Sequence, residues 1–207
     1  MVDVGSAAAS LFEGQAPRPL ADRLRPAELT DVVGQSHLLG ETGPIARFVK
    51  AGSLVSMILW GPPGTGKTTI ARLLAEQSGL RFAMLSAIFS GVADLRKIFD
   101  DARAARAAGQ GTLLFVDEIH RFNRSQQDGF LPYVEDGTII LIGATTENPS
   151  FELNPPLLSR CQVFVLNRLD DAALEQLLVR AETETRRPLP LTGDGRAAMR
   201  AMADGDG

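Results

Sequence analysis

The sequence predicts an α/β fold: a doubly wound, parallel, five-stranded sheet of the P-loop type, on three observations. Short apolar runs alternate with amphipathic stretches, the order expected when each strand is followed by a crossover helix. Most of those runs are continuous rather than alternating in polarity, so helices should cover both faces of the sheet. Between the first run and a helical stretch stands Gly61-Pro62-Pro63-Gly64-Thr65-Gly66-Lys67-Thr68, a match to GxxxxGK[ST] in the strand and helix context that this pattern requires.

The strands are expected at 56–60, 81–86, 112–117, 139–144 and 163–166. The helix behind the glycine-rich loop should run over 67–77, where Ile70, Leu73, Leu74 and Gln77 fall at helical spacing, and stop at Gly79. A second helix is expected over 93–107, with Leu95, Ile98, Phe99 and Ala102 on its buried stripe, ending at Gly109. A third covers 125–135, with Pro132 kinking or breaking it. After Leu166 the texture changes to Asp170 and Asp171, an acidic start, followed by an amphipathic helix over 172–184 that carries Leu174, Leu177 and Leu178. The chain is therefore divided into a flexible leader (1–19), a nucleotide-binding core (20–167) and the start of an α-helical lid domain (168–207). The lid is too small to close its own core, as expected of a piece of a longer protein.

Composition narrows the class. With 207 residues, 44% hydrophobic and 22% charged, one sizeable core plus a smaller appendage is expected. The longest uncharged apolar runs, 55–60 and 138–146, fall well short of the roughly 18 to 20 residues that span a bilayer. No membrane segment and no signal peptide are expected, which makes the cytoplasm the default compartment. Cys161 stands alone, so an internal disulfide is excluded, and no Cys/His cluster has zinc-site spacing. A net charge of -4 argues against a surface that is everywhere a polyanion trap. Local basic groups remain at Arg18, Arg23 and Arg25, along 96–106, and at His120, Arg121 and Arg124.

The chemistry is carried by four segments. In the loop, Gly61, Gly64 and Gly66 let backbone N–H groups turn inward around phosphate oxygens, with Pro62, Pro63, Thr65 and Thr69 completing the turn and the helix N-terminus adding its dipole. Lys67 is expected at the β- and γ-phosphates of ATP, and the Thr68 hydroxyl on Mg²⁺. The apolar run 113–116 ends in Asp117 and Glu118, at the carboxyl end of a strand where such sheets bind ligands. Asp117 would hold Mg²⁺ directly or through water, and Glu118 would orient the attacking water. The run LIGATTEN (141–148) ends in hydroxyls and an amide, so a side chain there can sense the γ-phosphate, Thr146 first and Asn148 second, with ordinary turn chemistry as the alternative. Arg160, in LLSRC, reads by position alone as a surface arginine, with an arginine finger for a neighbouring subunit's γ-phosphate as the alternative.

Across 20–166 the sequence resembles the AAA+ superfamily in its clamp-loader-like branch. Within that branch SMILWGPPGTGKTT, DEIHRFNRSQQDGFLPYVEDG and LIGATTENPSFELNPPLLSR are similar to the replication-associated recombination protein A family. The opening RPAELTDVVGQSHLL (25–39) resembles the segment that wraps adenine, which implies Val32, Val33 and Gly34 at the base. The resemblance implies a DNA-dependent ATPase acting at replication forks, gaps or duplex ends. It also implies a homotetramer, an association with single-strand-binding protein and a place near the nucleoid. Residue by residue it carries over Lys67, Thr68, Asp117, Glu118, Thr146 and Arg160, while a second sensor arginine and a tetramerisation segment have no counterpart here. Two rivals stand close: a branch-migration motor of the RuvB type, whose chains also read DEIHR and ATT, and a clamp-loader subunit. A third reading, an ATP-gated assembly platform, would need neither Glu118 nor Arg160.

Overall fold

The computed structural model describes residues 19–207, so the expected leader lies, apart from Pro19, outside the described residues. Five strands form one sheet: β1 (Met57–Trp60), β2 (Arg81–Ser86), β3 (Thr112–Asp117), β4 (Ile139–Thr145) and β5 (Gln162–Val165). All pairs are parallel, in the order β2-β3-β4-β1-β5. The strands lie within a residue of their expected positions. β4 takes in Thr145 because that residue pairs with Trp60 at the end of β1.

The pleat sorts the strand side chains to two faces. Leu113 and Phe115 of β3 pack beneath α1 (Lys67–Gln77), which buries Ile70, Ala71, Leu73, Leu74 and Ala75. Leu114 and Val116 face the other way, under α2 (Val92–Ala107), which contributes Leu95, Phe99 and Ala102. The sheet is thus doubly wound, as its continuous apolar strands predicted. Two separate clusters share the core, and truncating a fully buried aromatic such as Phe115 or Phe130 to alanine would cost about 3–5 kcal/mol.

One element departs from expectation. The single helix over 125–135 is two, α3 (Arg124–Asp128) and α4 (Leu131–Glu135). The break falls at Gly129 and Phe130, not at Pro132. Pro132 occupies the first turn of α4, where its missing N–H leaves no hydrogen bond unmade. The break lets Phe130 drop into the core, its ring 5.6 Å from that of Phe99 and edge-on to it.

Beyond β5 lie α5 (Asp171–Thr185) and α6 (Gly193–Ala203). Asp170 caps α5, its Oδ1 accepting from Ala173 N at 2.8 Å. Apolar packing here is thin: Leu169, Ala173 and Leu174 form one small buried cluster, flanked by Val33, Leu177 and Ala203, and Ala181 is buried further along α5. Polar contacts supplement it. Arg196 of α6 reaches Glu175 at 2.7 Å and Glu182 at 2.6 Å on α5. No helix among the described residues is long and apolar enough to cross a membrane.

Candidate nucleotide-binding site

The phosphate loop begins where β1 ends, and the sheet fixes its start, because Gly61 N donates to Thr145 O at 3.1 Å. Gly64 (φ +66°) and Gly66 (φ +91°) hold left-handed backbone, which glycine adopts without a Cβ penalty. Thr65 is buried, its hydroxyl donating to Pro62 O at 2.9 Å. The loop then enters α1 with Lys67, Thr68 and Thr69 half-buried in its first turn.

Lys67 folds back over the loop and donates to Gly61 O and Pro62 O, both at 2.7 Å. Burial lowers its ammonium below the ordinary lysine range, opposed by the charges of Glu118, Asp117 and Asp206. The carboxylates at the end of β3 thus lie within electrostatic reach of the lysine. Asp117 closes β3 in register with Ser86 of β2. Glu118 turns at φ +51°, a conformation in which a non-glycine residue is uncommon and which recurs at functional sites.

The sensing candidates separate. Thr145 is buried, its Oγ1 3.0 Å from His120 Nδ1 and accepting from Glu147 N at 3.0 Å. Thr146 is exposed just past the end of β4. Asn148 is engaged elsewhere, its Oδ1 accepting from Ser150 N at 3.0 Å as a helix cap. Of the two candidates, Thr146 is therefore the one left exposed past β4 without a capping role.

Val32 lies over the loop, with its Cγ1 3.6 Å from where a Cβ on Gly66 would stand, and Val33 packs into the small apolar cluster of α5. Gly34 (φ +76°) abuts Leu169. The segment is tied to Asn167 and to α5 by contacts that sequence reasoning missed. Buried Gln35 donates to Asn167 O at 2.8 Å and accepts from Asn167 N at 3.1 Å, and Arg180 of α5 donates to Asp31 O at 2.7 Å. A lone glutamine after glycine offers no sequence signal of that double bond.

Two more features were not foreseen. The Asp206 carboxylate rests on the phosphate loop, where it would collide with any Cβ at Gly64. Gln127 is fully buried and ties three segments together: it donates to Phe122 O at 2.9 Å and Glu152 O at 3.2 Å, and accepts from Asn154 N at 2.8 Å. Asn154 in turn donates to Asp128 and caps the turn that carries Arg160. Arg160 stands at the surface, its guanidinium 2.5 Å from Glu135 and donating to Pro156 O at 2.8 Å. It lies outside the group around Lys67. Burial pushes the Cys161 thiol up to about 12, which leaves it a small apolar core residue.

These residues fit a nucleoside triphosphate and its cation. A half-buried ammonium, glycines in left-handed backbone and a resting carboxylate mark a place suited to anionic oxygens. Thr68 and Asp117 offer oxygen ligands on its flank. Among the described residues no group of three or more His, Cys, Asp or Glu could hold a metal ion, and a cation carried largely by phosphates and water needs no such group.

The family model for the ATPase family associated with various cellular activities (AAA) matches residues 57–169. The chain is 53% identical over 171 residues to the replication-associated recombination protein A of Haemophilus influenzae, covering 83% of this chain and 38% of that protein. To the protein of the same name from Escherichia coli it is 50% identical over 200 residues, 94% of this chain and 45% of the relative. The chain thus spans less than half the length of these relatives. Among solved structures, the RuvB Holliday junction branch migration motor of Thermotoga maritima superposes with a TM-score of 0.64 at 27% identity, covering 79% of this chain and 55% of that one.

Proposed function

This chain belongs to the AAA family of ATPases and, within it, to the replication-associated recombination protein A family, and on that premise we propose that it hydrolyses ATP at subunit interfaces in response to DNA. The observation that carries the proposal is the convergence of Lys67, Asp117 and Glu118 at one end of the sheet, with an exposed arginine, Arg160, held outside it.

In this reading Lys67 exchanges its two backbone carbonyl partners for β- and γ-phosphate oxygens. Thr68 and Asp117 hold Mg²⁺, which when bound neutralises charge on the phosphates. Val32, Val33 and Gly34 line the adenine side, where they already lie between loop and lid. Glu118 orients and polarises the water, and Thr146 contacts the γ-phosphate from the end of β4. Arg160 of a second copy completes the charge balance in the transition state. The second copy belongs to a homo-oligomer, a tetramer in the whole protein.

The output is directed at DNA: forks, gaps or duplex ends, in partnership with single-strand-binding protein, in the nucleoid-associated cytoplasm. Arg121 and Arg124, both exposed on the segment that follows Glu118, are the proposed phosphate contacts. The test measures ATP turnover with and without forked or gapped DNA. Stimulation by DNA, weakened by charge reversal at Arg121 and Arg124 and steeply salt-dependent, is expected. A rate that no DNA changes would overturn the DNA-dependence and favour an assembly platform.

A further inference from the structure

His120 is not accounted for by the site as described. Its side chain is only 6% exposed, and its Nδ1 lies between two oxygens: Thr145 Oγ1 at 3.0 Å and Glu118 Oε2 at 3.2 Å. That Glu118 oxygen is sealed from solvent and makes no hydrogen bond. We propose that His120 is a positioning residue for Glu118, with a single Nδ1–H shared in alternation between the Thr145 hydroxyl and the Glu118 carboxylate. The proposal rests on the reading of Glu118 as the residue that orients water.

One imidazole nitrogen carries at most one proton, so it serves one of the two oxygens at a time. Thr145 does not depend on it. Its oxygen already accepts from Glu147 N, and its hydroxyl lies 3.3 Å from Glu147 O, to which it can donate. Glu118 has no other donor at Oε2, and a buried carboxylate oxygen gains more from an N–H than a hydroxyl does. A small shift at the end of β4 therefore hands the proton to Glu118 and fixes the orientation of its carboxylate.

The connections give that shift a source on either side. Thr145 directly precedes Thr146, the residue placed to meet the γ-phosphate. His120 shares a 3-10 turn (Ile119–Arg121) with Arg121, which is exposed. Occupancy of the phosphate site and contact at the basic segment thus reach one proton, next to the carboxylate that governs hydrolysis.

The chain contains only two histidines, His37 and His120, so imidazole ¹⁵N–¹H correlation spectra of the whole chain resolve the tautomer directly. An Nδ1–H tautomer at His120, with a shift that moves in Glu118→Gln, is expected whether or not the chain turns ATP over. An Nδ1 without a proton, unmoved by Glu118→Gln, would overturn the proposal. In turnover, His120→Leu should lower kcat at least about tenfold, the loss typical when a residue that orients a ligand or catalytic group is removed, with KM for ATP within about twofold. His120→Asn, which keeps an N–H near the Nδ1 position, should recover most of that loss. Equal losses in both variants would mark a merely structural histidine. A Glu118→Gln variant that hydrolyses ATP at the wild-type rate would instead remove the reading of Glu118, while the spectra still report on His120.

Discussion

Glu135 and Arg160 form an ion pair across the surface between α4 and the turn that precedes β5. Both side chains are more than a third exposed, at 49% and 38%, so the pair contributes no more than about 1 kcal/mol. That is small enough for Arg160 to leave Glu135 when a stronger anion, a neighbour's γ-phosphate, is offered. Glu135→Gln should therefore change unfolding free energy by less than about 1 kcal/mol in urea titration. For the finger itself, mixtures of Lys67→Ala and Arg160→Ala chains should recover part of the ATPase activity that each variant lacks alone. Mixtures as inactive as their components would argue against delivery in trans.

Gln127 is the opposite case, because its three hydrogen bonds are buried or nearly so. Gln127→Leu keeps the approximate volume but strands Phe122 O, Glu152 O and Asn154 N. Each buried group left unpaired costs about 1–3 kcal/mol, so a destabilisation of several kcal/mol is expected in chemical denaturation. A loss under about 1 kcal/mol would mean that water takes over these partners.

The difference between these residues explains what the sequence could reveal. Strand positions were legible because unbroken apolar runs such as 113–116 have few alternatives to a doubly covered strand. The phosphate loop was legible because glycines at positive φ and a lysine at a fixed offset answer one chemical need. Gln127, Gln35 and Asp206 were not, since the contacts of Gln35 and Asp206, and two of the three of Gln127, reach 25 or more positions along the chain, which no local periodicity encodes. The break at Gly129 was misplaced for a related reason. Proline was read as the stronger breaker, but the burial of Phe130 against Phe99 decides where the chain turns.

Lys67 should make stability depend on pH in a defined direction. Its pKa in the folded chain is lowered by burial, so between that value and the unfolded one of 10.5 the unfolded state binds more protons. Stability contributed at this site therefore rises with pH through that window and is lost as pH falls through the folded pKa. Lys67→Met removes the dependence. At neutral pH and without nucleotide, the variant should be at least as stable as the wild type while failing to bind a fluorescent ATP analogue. A variant much less stable at neutral pH would show that the two carbonyl bonds outweigh the burial of the charge.

Asp206 supplies the sharpest test of the phosphate loop, because it sets a negative charge on the backbone that the phosphates would use. Its charge raises the Lys67 pKa together with those of Asp117 and Glu118, which places it within electrostatic reach of the ammonium. Unlike those two, it has no assigned part in holding Mg²⁺ or water. Two like charges a few ångströms apart in a partly solvated cleft repel by on the order of 1 kcal/mol. Asp206→Asn keeps the shape and removes that repulsion, so ATP affinity should rise about fivefold, read as a lower Kd in a nucleotide titration at low salt. Raising the ionic strength should shrink the gain, because the cleft is open to counterions. Weaker binding by Asp206→Asn would mean instead that the carboxylate helps to hold the cation, and that Asp206 belongs to the working site.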